Sequence, residues 1–207
     1  ISVSAFLLNR SSDLAIYRGY DENMKKQVLG AINFHSAGFI RTMTARKKFI
    51  NNHPKKIEIA RKIMEARQNS KILTFSNNVT MAEAIETGNN VYTGQPSKNK
   101  GRVMIEEFTK GTIKTIHSCK KLDEGFDVPD ASVAIILGFD SSEIKSTQRR
   151  GRVVRKYENK TAEIFYIVIN DTQETKWFKN AHSTTKNYIT IDENGLEKVL
   201  KGESPEP

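Results

Sequence analysis

Four arginines stand within seven residues in Gln148-Arg149-Arg150-Gly151-Arg152-Val153-Val154-Arg155. If a helix continues through the glycine, Arg152 and Arg155 lie three residues apart on one face, with Gln148 one turn earlier. Each guanidinium is a planar fork of donors with permanent charge, so two presented together suit a phosphate group. A solvated basic helix is the commoner use of such a cluster. The spacing alone leaves both uses open.

A second stretch with chemical potential is Leu122-Asp123-Glu124-Gly125-Phe126-Asp127-Val128-Pro129. Gly125 lets the backbone approach a ligand closely or take positive φ. Asp127, two residues on, offers a carboxylate to a ribose hydroxyl or to a neighbouring arginine. A plain acidic loop is the alternative.

Both stretches need a frame to hold them. From Lys71 onward short apolar runs alternate with helical patterns. Ile72–Phe75, Asn90–Thr93, Thr112–Ile116, Val133–Leu137 and Ile164–Ile169 read as strands. One helix is expected through Met81, Ala82 and Ile85, closed by Gly88; another turns Met104, Ile105 and Phe108 inward and stops at Gly111. The arginine helix precedes the last strand. This alternation predicts an α/β domain over about residues 71–170, a mostly parallel sheet with helices on both faces and right-handed crossovers. In such sheets ligands collect at the carboxyl ends of the strands. Ser76-Asn77, Thr93-Gly94-Gln95 and His117-Ser118-Cys119 cluster there, with small or polar groups suited to a sugar–phosphate backbone. Each turn taken singly reads equally well as structural.

The flanks carry less pattern. Ile1–Leu8 is an expected strand, followed by a helix from about Glu22 to Phe34 with Met24, Val28, Leu29 and Ile32 at core spacing. Arg46-Lys47-Lys48 reads as a solvated basic run. Asn52-His53-Pro54 starts a helix whose apolar stripe is Ile57, Ala60, Ile63 and Met64, stopping near Asn69. Beyond Asp171 a helix through Trp177 and Phe178, a short strand at Tyr188–Ile191 and a small helix at Leu196–Leu200 are expected. Residues 202–207 are expected to fray. The start lacks a basic leader and an initiator Met, which reads as a fragment of a longer chain.

Net charge is +9, an excess that favours a polyanionic partner, most often nucleic acid. Hydrophobic residues make up 37% and charged residues 28%, the balance of an ordinary globular chain, which excludes a disordered or fibrous one. No apolar run approaches the roughly 20 residues that span a bilayer, so no membrane partner is expected. The single cysteine, Cys119, excludes an internal disulfide or a cysteine-rich metal site. An intracellular location, cytoplasmic or nucleoid-associated, is the expectation.

Taken in order, these stretches resemble the second, C-terminal RecA-like domain of superfamily 2 helicases, in the manner of DEAD/DEAH-related DNA translocases. Lys71–Asn77 resembles motif IV, and Tyr92-Thr93-Gly94 with Arg102 resembles the strand-end glycine and its following helix. Ser118–Pro129 resembles motif V and Gln148–Arg155, as QxxGRxxR, resembles motif VI. About half the chain is covered. Arg150 departs from the pattern, which commonly has an apolar residue there. Residues 1–70 would be the linker and lead-in helices, 71–170 the RecA-like domain, 171–201 a C-terminal appendage and 202–207 a tail.

The resemblance implies an ATP-dependent helicase or translocase whose active site is shared between two domains. No GxxxxGK[ST] phosphate loop occurs, so no Asp-Glu pair is read as motif II. ATP and Mg²⁺ would therefore be bound mainly by an N-terminal RecA-like domain of the same protein. Arg152 and Arg155 would be arginine fingers on the γ-phosphate, with Gln148 positioning ATP or water, and Gly125 and Asp127 on the nucleotide sugar. Ser76, Asn77, Gly94, Arg102, Ser118, Cys119 and Lys120 would track nucleic acid, with DNA favoured over RNA. The isolated chain would be inactive. Two rivals are a non-enzymatic nucleic-acid-binding RecA-like module and an adaptor using the Trp177–Tyr188 region.

Overall fold

The structure, a computed structural model, describes residues 21–85, 90–92, 98–119, 131–138, 162–183 and 188–204. The chain divides into two compact units, Ile1–Phe49 and Ile50–Pro207. The described part of the first unit is a single helix, α1, Glu22–Asn51, whose last two residues count with the second unit. It runs well past the expected end at Phe34, because no proline interrupts the segment and Gly30 and Gly38 sit in open space. Met24 and Leu29, expected inward, are nearly half exposed.

The second unit is built on a five-stranded, all-parallel sheet. Its strands are β1 Ile72–Ser76, β2 Val91–Tyr92, β3 Thr115–Cys119, β4 Val133–Ile136 and β5 Glu163–Tyr166, in the spatial order β2-β3-β1-β4-β5. Among the described residues five helices accompany them: α2 Pro54–Ala66, α3 Val79–Ile85, α4 Lys98–Lys110, α5 Gln173–Ala181 and α6 Glu193–Leu200. The central strands are buried on both faces, which is why they read as continuous apolar runs.

Strand alternation sorts the core into two layers. Leu73, Phe75, Ile116, Ala134 and Ile136 face Phe108 of α4, with Trp177 and Phe178 of α5 packed alongside. Ile72, Val133, Ile135 and Leu137 face Ala60 and Ile63 of α2, Met81 and Ile85 of α3, and Leu196 of α6. Each fully buried aliphatic side chain here contributes about 1.5–3 kcal/mol. The helices thus cover both faces, as the alternation predicts.

Four differences from the expected elements have identifiable causes. The expected strand Thr112–Ile116 begins three residues late, at Thr115. Gly111 at φ +80 turns the chain out of α4, and the N–H groups of Thr112 and Ile113 bond back to Glu107 O, so those residues close the helix. Tyr188–Ile191 is not a strand. Tyr188 sets its ring edge against Phe178, Ile191 packs on the second core layer, and Asp192 caps α6 by accepting from Gly195 N at 2.8 Å.

The expected lead-in boundary at residue 70 falls inside the second unit, because α2 fills one face of the sheet. Residues 171–201, expected as an appendage, likewise supply α5 and α6 to the two core layers. The expected strand Ile1–Leu8 lies outside the described residues. Among the described residues no helix is long and apolar enough to cross a membrane.

Candidate functional site

The carboxyl ends of β1, β3 and β4 come together at the centre of the sheet, flanking the point where the strand order reverses about β1. Ser76 ends β1 opposite Cys119, and Phe75 pairs with Ser118. Ser76 Oγ is within bonding distance of Asn78 O at 2.9 Å and Ser118 O at 3.2 Å. The expected convergence of these two strand ends is therefore present. The side chains are not open turns, however. Ser76, Ser118 and Cys119 are buried, because β3 extends three residues beyond its expected end and takes His117, Ser118 and Cys119 into the sheet.

His117 lies wholly out of solvent, its Nδ1 2.9 Å from Thr74 Oγ1 across the β1–β3 ladder. Among the described residues Ser118 Oγ finds no hydrogen-bond partner. Asn77 and Asn78 form the polar lip above β1. Asn77 Nδ2 donates to Asn51 Oδ1 at 3.3 Å and Asn78 Nδ2 to Asn52 Oδ1 at 2.7 Å. Asn78 Oδ1 accepts from Met81 N at 2.8 Å, capping α3. Gly138, after β4, makes room for this lip: a Cβ there would stand 2.4 Å from Asn77 Cγ.

Arg102 does not join the cluster through any contact of its own. Its side chain is exposed on α4 and pairs with Glu106 one turn later at 3.1 Å. Gly94, Lys120, Gly125, Asp127, Gln148, Arg152 and Arg155 lie outside the described residues. Among the described residues no group of three His, Cys, Asp or Glu side chains is placed to hold a metal ion.

Beside the strand ends lies an ion pair the motif reading passes over. Lys56, in the first turn of α2, donates from Nζ to Leu137 O at 2.8 Å and to Glu174 Oε1 at 2.5 Å. The other oxygen of Glu174 accepts from Ile169 N at 3.1 Å. Burial pushes the lysine's pKa down and the carboxyl's up, each against the pull of the other's charge. At the far end of α2, Arg67 makes a forked pair with Glu163, Nε to Oε2 at 2.6 Å and Nη2 to Oε1 at 3.0 Å. One sequence signal was available. Lys56 and Arg67 fall in register with Ala60 and Ile63, so the apolar stripe of α2 begins and ends on a cation.

Residues 55–157 match the family described as Helicase conserved C-terminal domain. The chain is 33% identical over 125 residues to DNA 3'-5' translocase XPB2 of Sulfurisphaera tokodaii, covering 59% of this chain and 28% of the relative. It is 28% identical over 158 residues to the general transcription and DNA repair factor IIH helicase/translocase subunit XPB of Schizosaccharomyces pombe, covering 72% of this chain and 19% of that one. The chain thus spans less than a third of the length of these relatives. Among solved structures, the C-terminal domain of the DEAD-box protein Dbp5 superposes with a TM-score of 0.61 at 15% identity, covering 73% of this chain and 93% of that one. The C-terminal part of the Fun30 ATPase domain gives 0.54 at 20% identity, over 70% and 51%. Likeness at that identity speaks for the fold alone; with the family match, it makes the chain a member of the superfamily 2 helicases, carrying their C-terminal RecA-like domain.

Proposed function

We propose that this chain is the C-terminal half of an ATP-dependent DNA helicase or translocase, completed by an N-terminal RecA-like domain that holds ATP and Mg²⁺. The family match over residues 55–157 carries the reading, because it spans Ser76-Asn77, Ser118–Pro129 and Gln148–Arg155 in their order. On this reading Arg152 and Arg155 reach the nucleotide's phosphates across the interdomain cleft. Their fixed charge meets the charge that grows on the phosphoryl oxygens in the transition state. Gln148 positions ATP or the attacking water, and Gly125 with Asp127 meets the sugar.

Asn77, Gly94, Arg102 and Lys120 lie along the nucleic-acid backbone. Ser76, Ser118 and Cys119 shape the strand ends beside it without touching it, since all three are buried. DNA is favoured over RNA by the names of the relatives. An intracellular location, cytoplasmic or nucleoid-associated, goes with these partners.

The test is substitution in the full-length protein. Arg152→Ala and Arg155→Ala should each lower kcat by about 10³–10⁵ while nucleic-acid affinity changes little. Lysine should rescue poorly, since an ammonium lacks the planar fork. Arg149→Ala, the internal control, should be milder. Normal turnover with lost affinity would make the cluster a backbone-binding patch, and the chain a binding module.

A further inference from the structure

Helix α2 touches the sheet on both sides of the arginine segment in sequence. Residues 139–161, which contain Gln148, Arg152 and Arg155, run from the end of β4 to the start of β5. On the departing side, Lys56 Nζ holds Leu137 O at 2.8 Å, two residues before the segment. On the returning side, Arg67 grips Glu163, the first residue of β5, with two bonds. The two cations cap one stripe of one helix, eleven positions or about 16 Å apart along its axis. Arg67 is tied down further by Leu200 O at 3.2 Å.

We propose that α2 is a positioning strut for the arginine segment, with Lys56 and Arg67 setting the two points from which that segment is hung. The inference rests on the arginine reading under Proposed function. It goes beyond that reading by assigning a role to residues outside the helicase motifs. Neither cation is held to touch the nucleotide; both act through the backbone they fix.

The choice of residues supports positioning over stability. An apolar pair of similar volume in place of a buried ion pair is often neutral or stabilising, so stability alone does not call for charges at 56 and 174. What the charges add is direction. Lys56 aims at two acceptors at once, Leu137 O and Glu174 Oε1, and Glu174 in turn fixes Ile169 N beyond β5. The carboxyl-side exits of two neighbouring strands are thereby locked to each other and to α2. A reacting geometry misplaced by about 1 Å from a remote change can lose about 10²-fold in rate, so a fixed departure point has kinetic consequences.

The test uses the full-length protein with Arg152→Ala alongside in the same assays. Lys56→Met with Glu174→Gln neutralises the pair and keeps an acceptor for Ile169 N, releasing only the Leu137 carbonyl. Arg67→Gln releases the other anchor. Each should lower kcat about ten- to a hundredfold, with KM for ATP and nucleic-acid affinity within about twofold and Tm within a few degrees. Reversing the second pair, Arg67→Glu with Glu163→Arg, should recover part of the rate that Arg67→Glu loses. Wild-type kcat in a folded anchor variant, beside an inactive Arg152→Ala, overturns the strut and leaves the arginine reading standing. Normal turnover in Arg152→Ala overturns the reading, and the strut with it. Should Lys56→Met/Glu174→Gln fail to fold, the partly exposed Arg67–Glu163 pair decides alone.

Discussion

Lys56 Nζ lies 2.5 Å from Glu174 Oε1 with neither side chain exposed to solvent, joining α2 on one face of the sheet to α5 on the other. A pair so placed gains little net stability when intact, because desolvation offsets the attraction. It costs much when half of it is removed.

Lys56→Met should therefore destabilise the chain by about 3–5 kcal/mol, measured by denaturant unfolding near neutral pH. The pH dependence follows from the sign of the Glu174 shift. Burial already raises that carboxyl above its ordinary 4.5, and loss of the ammonium raises it further. A raised folded pKa means the folded state holds the proton more tightly. The variant's stability is then fully present below the unfolded value and falls as pH rises through the folded one. A variant that instead grew more stable over that window would show Glu174 to be ionised without its partner.

Gly138→Ala tests the lip above β1. The new Cβ would meet Asn77 Cγ at 2.4 Å and Asn77 N at 2.8 Å, and the second is backbone that cannot swing away. A loss of about 1–3 kcal/mol is expected, as for other overpacked sites. Unfolding midpoints of the two proteins measure it, and an unchanged midpoint would mean β1 and β4 part easily at this end.

Ser118→Ala separates structure from ligand contact. The hydroxyl is buried with no partner among the described residues, so removing it should leave stability unchanged or slightly raised. Nucleic-acid affinity should also hold, since the buried hydroxyl is out of reach of a bound strand. A clear drop in affinity at unchanged stability would show the hydroxyl emerging to meet the strand.

The 207-residue chain alone should show negligible ATP turnover at any nucleic-acid concentration, because no phosphate-loop sequence is present in it. Mg²⁺-dependent, DNA-stimulated turnover by the pure chain would defeat the shared-site reading.

Binding of the same chain to single-stranded DNA should be weak, tolerant of sequence and strongly weakened by salt. Its +9 charge and phosphate-type contacts release counterions on binding. Titrations at about 50 and 200 mM salt, the span over which phosphate-led binding falls steeply, give the slope. Affinity indifferent to salt contradicts the proposal.

Much of this fold was legible because the central strands are buried on both faces. Ile72–Phe75 and Val133–Leu137 stand out as apolar runs for that reason, and the stripe Ile57, Ala60, Ile63 and Met64 marks α2 by its 3.6-residue period. The motif stretches were legible because glycine, proline and arginine at fixed spacing are constrained one residue at a time. The end of α4 was not. Whether Thr112 and Ile113 bond back to Glu107 or pair in the sheet depends on where β1 stands, and local propensity does not record that. The same holds for Tyr188–Ile191, whose alternation suits a strand but whose side chains are taken up by Phe178 and the second core layer.

By itself, the sequence determined the α/β class, the order of the motifs and the residue types able to meet phosphate, since all three rest on periodicity and spacing along the chain. Tertiary structure alone decided that Ser76 and Ser118 turn inward. It also decided that Lys56 meets Glu174 across 118 residues and Arg67 meets Glu163 across 96. A buried charge is tolerated only beside its partner, and partners this distant in sequence are brought together only by the packing of both helical layers on one sheet.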